Sequence, residues 1–95
     1  MAELPSASFY YVTKVKLSGT AEQEVRFSVP VSRIDIFTAA DDIEFELILE
    51  NVMREPFISI SASSFYSIDA QADLIKIRGT APGASSTVQV VGWVF

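Results

Sequence analysis

Apolar and polar residues alternate at period two in one stretch of this chain after another. The clearest stretch runs from Ile43 to Asn51. There Ile43, Phe45, Leu47 and Leu49 fall on every second position, and Glu44, Glu46 and Glu50 fill most of the gaps. Successive side chains of a strand point to opposite faces, so this spacing makes one face buried and the other wet. A helix would scatter the same apolar residues around its circumference. A strand is therefore expected despite the good helix propensity of Glu and Leu.

The same pattern predicts a first strand over residues 8–18. Phe9, Tyr11, Thr13, Val15 and Leu17 form one side; Tyr10, Val12, Lys14 and Lys16 form the other. Further strands are expected over 24–29, with Val25, Phe27 and Val29 inward, and over 33–38, with Ile34 and Ile36 inward. Four more cover 57–61, 65–69, 74–80 and 87–95. The turn Ala39-Ala40-Asp41-Asp42 is short enough to make its flanking strands a hairpin. Residues 51–56 read as an irregular connection. Pro30 lacks an amide donor, so it should end a ladder or sit at a sheet edge.

Seven or eight short strands, with no amphipathic helix, predict an all-β fold: an antiparallel β-sandwich, jelly-roll-like, with a closed barrel as the alternative. Residues 8–95 read as a single domain. Residues 1–7 are interrupted by Pro5 and offer no core face, and they read as a flexible N-terminal arm. The expected core is Val15, Leu17, Val25, Phe27, Ile34, Ile36, Phe45, Leu47, Leu49, Ile75, Ile77, Val88 and Val90.

Composition narrows the possible chemistry. With 95 residues there is room for one real core. A net charge of −5, with only 7 basic residues, is a poor basis for neutralising nucleic-acid phosphates. The chain has no cysteine and no histidine, which removes thiolate chemistry and the commonest general base and zinc ligand. No apolar run is long enough for a membrane helix, and the N-terminus lacks the basic and apolar regions of a signal peptide.

Asp41, Asp42, Glu44 and Glu46 are the most site-like group, yet they lack the spacing and the glycine of a calcium loop. They are expected to form a solvated face paired with Lys14, Lys16, Arg26, Lys76 or Arg78. Glu44 and Glu46 resemble a glycosidase pair in spacing only, because an open sheet face has no pocket to raise one pKa. The serines between Ser59 and Ser67 have no histidine to activate them. No catalytic, cofactor-binding or metal-ligating residue is therefore assigned.

The aromatics Tyr10, Tyr11, Phe65, Tyr66 and Trp93 fit either a sugar platform or a subunit interface. Several strands carry apolar residues on both faces, which is more than a small monomer can hide. Tyr10, Val12, Ile48, Val91, Trp93 and Phe95 are the expected interface residues, and a homo-oligomer is the expected state.

The segment ADLIKIRGTAPGASSTVQVVGWVF, preceded by SFYSID, resembles the ending of small β-sandwich structural proteins of tailed bacteriophages. In these, a strand ending in a basic residue and Gly-Thr leads through a small-residue loop to a Val-rich strand with a Gly-Trp. The resemblance covers residues 57–95. It implies a non-enzymatic virion component, either a capsid decoration (cement) protein or a small tail protein, made in the host cytoplasm. It also implies a trimer, and docking on a larger capsid or tail protein. A carbohydrate-binding module presenting surface aromatics is the alternative.

Overall fold

The computed structural model describes residues 9–95, except for the side chains of Phe9 and of residues 53–57. The chain forms eight strands: β1 (Phe9–Lys16), β2 (Gln23–Val31), β3 (Arg33–Thr38), β4 (Ile43–Leu49), β5 (Val52–Ile60), β6 (Ser64–Ile68), β7 (Ala72–Gly79) and β8 (Thr87–Val94). They make two four-stranded sheets, β1-β8-β3-β6 and β2-β7-β4-β5, with every neighbouring pair antiparallel. The chain changes sheet at every connection except β4–β5. This order is that of an eight-stranded jelly roll, and the two separate sheets make it a sandwich, not a closed barrel. The N-terminal arm expected over residues 1–7 lies outside the described residues.

The period-two residues meet between the sheets. Every residue of the expected core is buried, and Val31, Ile43, Ile60, Ala72 and Ala84 are buried with them. Phe45, Leu47, Ile75 and Ile77, on neighbouring strands β4 and β7, face Ile34, Ile36, Val88 and Val90 from the other sheet. Tyr11 and Tyr66 also turn inward and pack against this core. The Tyr11 ring lies 5.6 Å from Phe27, and its hydroxyl shares a 2.7 Å hydrogen bond with Ser28 Oγ.

Three local expectations are corrected. Strands β3 and β4 are not a hairpin. The turn over residues 39–42 crosses from one sheet to the other, so their apolar faces meet across the core instead of lying side by side. The hairpin is instead β4–β5. Glu50 and Asn51 take φ of 51° and 64°, and Leu49 pairs with Val52 across them. Positive φ at both central residues is the type I′ arrangement, whose twist matches that of the flanking strands. Residues 52–56 thus belong to a strand, and Pro56 is tolerated because β5 lies at a sheet edge. Val29 is exposed, and Val31 takes the inward place, because the β2–β7 register shifts between Arg26 and Val31. Pro30 sits in this irregular part of β2, also an edge strand, as its missing donor requires.

Candidate functional site

The two outer faces of the sandwich differ in chemistry. On β2-β7-β4, the register sets Glu24 and Glu46 on either side of Lys76, and Glu44 beside Arg78. Arg78 Nη2 donates to Glu44 Oε2 at 2.8 Å, and Lys76 Nζ lies 4.0 Å from Glu46 Oε1. Arg26 reaches Glu24 on its own strand at 3.7 Å. The acidic strand face is therefore ion-paired across the sheet with Lys76 and Arg78. Lys14 and Lys16 are on the other sheet and take no part.

Ile48 also belongs to this ion-paired face, where it stands opposite Leu74. Both are buried. Ile48 is thus separated from the other expected interface residues by the thickness of the sandwich. Alternation showed that it faces away from Leu47 but not which sheet carries it.

Asp41 and Asp42 act as loop ties. Asp41 Oδ2 accepts the backbone amides of Ser85 and Ser86 at 3.1 and 2.9 Å, and Asp42 Oδ1 accepts the amide of Ala62 at 2.6 Å. The Ser86 side chain, then the Ser86 and Ser85 amides, hold the Asp41 carboxyl below its ordinary value. Their turn links sheets and fastens two further loops, so it is more than the plain hairpin turn its sequence implied. Among the described residues, no group of acidic side chains is arranged to hold a metal ion.

The outer face of β1-β8-β3-β6 mixes exposed aromatic and aliphatic side chains with polar ones. Its register makes three rows: Tyr10, Trp93 and Arg33; then Val12, Val91, Asp35 and Ser67; then Lys14, Gln89, Phe37 and Phe65. Tyr10, Val12, Phe37 and Phe65 are 59%, 52%, 44% and 63% exposed, values that core residues of these types would not show. Val91 and Trp93 are half-buried. The rings of Tyr10 and Trp93 lie 5.1 Å apart at 37°. Phe95, just beyond β8, is exposed as well. The structure thus brings Tyr10, Val12, Val91 and Trp93 onto one face. It adds Phe37, which the sequence reading did not single out. Of the candidate sugar-stacking aromatics, Tyr11 and Tyr66 are removed, because both turn into the core.

At the centre of this face is Asp35, a second residue that the sequence reading passed over. Its carboxylate is buried although it points away from the core. Oδ1 accepts from Ser67 Oγ at 2.6 Å and from Arg33 Nε at 3.2 Å, and Oδ2 accepts from Trp93 Nε1 at 2.8 Å. Burial pushes the carboxyl pKa up, but the bonds from Ser67, Trp93 and Arg33 together outweigh it and hold the group below its ordinary 3.8. The available signal was an aspartate, a poor strand former, in mid-strand between Ile34 and Ile36.

A carboxylate with a lowered folded pKa stabilises the fold above its unfolded pKa, and that contribution is lost as pH falls through the folded value. Acid titration followed by circular dichroism should therefore show stability falling below about pH 4. Asp35→Asn should lose less stability over that interval than wild type, with the remainder owed to groups such as Asp41. An identical acid loss in both proteins would contradict this role for Asp35.

Comparison with protein-family models and with curated proteins finds no match for this chain.

Proposed function

We propose that the protein is a non-enzymatic assembly protein. It associates with further copies of itself through the outer face of β1-β8-β3-β6, and it serves as a decoration (cement) or small tail component of a bacteriophage particle. The observation that carries this reading is the contrast between the two outer faces. One carries cross-strand ion pairs, whereas the other leaves Tyr10 and Val12 in water beside half-buried Trp93 and Val91, and Phe37 and Phe65 in water two rows further along. An exposed apolar patch of this kind marks a contact surface. Closed symmetry is its usual form, and the phage resemblance favours a trimer. The particle itself, and the larger capsid or tail protein as partner, rest on the resemblance of residues 57–95. Jelly rolls serve lectins and cupins as well as capsids, so the fold does not choose among them.

Light scattering tests the assembly. Wild type should be oligomeric at micromolar concentration, and Trp93→Asp, which puts a charge into the contact, should release folded monomers. A wild type that stays monomeric at high micromolar concentration would remove the reading and promote the carbohydrate-binding alternative. Mass spectrometry of purified particles tests the virion placement.

A further inference from the structure

We propose that Asp35 is a positioning residue for the docking face, clamping Trp93 flat across the strands so that the face meets its partner already shaped. This rests on the assembly reading above and adds the device that gives the face its form.

The core does not require a carboxylate here. Asp35 points outward from β3, between Arg33 and Phe37, where a threonine or valine would suit a strand better. Burying an ionised group is costly unless it is fully hydrogen-bonded. That condition is met from three strands at once: Arg33 on β3, Ser67 on β6 and Trp93 on β8. Asp35 stands directly opposite Val91 and Ser67, so the indole of Trp93 reaches it diagonally. The Trp93 side chain therefore leans along the sheet toward β3, and Tyr10 packs on it from β1. A bond to a charged acceptor is stronger than one between neutral groups, so the indole is held in one orientation. An unheld tryptophan would lose rotamer freedom on docking, and that loss opposes association. The clamp removes that cost before the partner arrives.

The chain's single tryptophan makes the idea measurable. Asp35→Asn keeps the size of the side chain, but its amide nitrogen must face one of the donors. Trp93 emission should move to longer wavelength, acrylamide quenching should rise, and self-association should weaken about tenfold, the effect of losing roughly 1.4 kcal/mol. The melting temperature should stay high enough for all measurements on folded protein. The loss of association should disappear when Asp35→Asn is made in a Trp93→Phe background, because the clamp then has nothing to hold. Unchanged emission and quenching would overturn the proposal. So would an equal loss of association with and without the indole. If Asp35→Asn fails to fold, Ser67→Ala removes one donor and keeps the charge, and it should leave Trp93 emission near wild type. A large shift there would place the control in Ser67 instead. If Trp93→Asp leaves association intact, the assembly reading fails by itself, and the quenching data still decide whether Asp35 clamps Trp93.

Discussion

Phe45→Ala should destabilise the fold by about 3 to 5 kcal/mol, as expected for a buried phenylalanine. Phe45 lies in mid-strand on β4 with no exposed surface. It stands between Ile77 on β7 and Ile58 on β5. From the opposite sheet the Tyr66 ring meets it edge-on at 5.7 Å. Alanine would remove the ring from the middle of the sandwich. The hydrogen-bonded strands around it cannot collapse far enough to fill the space, so the lost transfer energy and the cavity add. Domains of this kind have about 5 to 15 kcal/mol in all, so the variant should be close to its unfolding threshold at room temperature. Urea denaturation with an unchanged m-value gives the number. A loss below about 1 kcal/mol would mean that the interior refills easily.

The second large effect is expected at Gly79, the last residue of β7. A methyl group there would lie 2.6 Å from the Gly19 carbonyl oxygen and would collide with the Ala84 side chain. Neither neighbour is a flexible tip. Gly19 and Ala84 are themselves joined by a 2.8 Å backbone hydrogen bond that ties the β1–β2 turn to the β7–β8 loop. Gly79→Ala must push this tied pair outward, and a cost at or above the usual 1 to 3 kcal/mol of overpacking is expected. Gly83→Ala, four residues on, is the control. Nothing lies within 4 Å of the added carbon, and the change should stay within about 0.5 kcal/mol. Thermal melts of the two variants settle the comparison. Equal melting temperatures would contradict the close approach.

Alternation was a sound guide to which side chains are buried, because facing is a local property of a strand. Val15 and Leu17, Ile34 and Ile36, and Val88 and Val90 could each be placed from their immediate neighbours. Pairing is not local. Nothing in Ala39-Ala40-Asp41-Asp42 distinguishes a hairpin turn from a crossing between sheets. The true hairpin at Glu50-Asn51 has no glycine to mark it. Pro56 then made an edge strand look like a loop. The same limit applies to the candidate site. Tyr10, Val12, Val91 and Trp93 could be grouped as outward and apolar, but Ile48 met the same criterion and lies on the opposite face. Asp35 gains its meaning only from the register that brings Trp93 and Ser67 to it.

The sheet edges carry a consequence of their own. Pro30 lies within β2 and Pro56 within β5, β6 is only five residues long, and β1 carries Lys14 and Lys16. Each is a known means of stopping a foreign strand from adding to a sheet. The domain can therefore display a greasy face without offering a template for cross-β growth from its native state. Any contact between copies would then be face to face and not strand to strand.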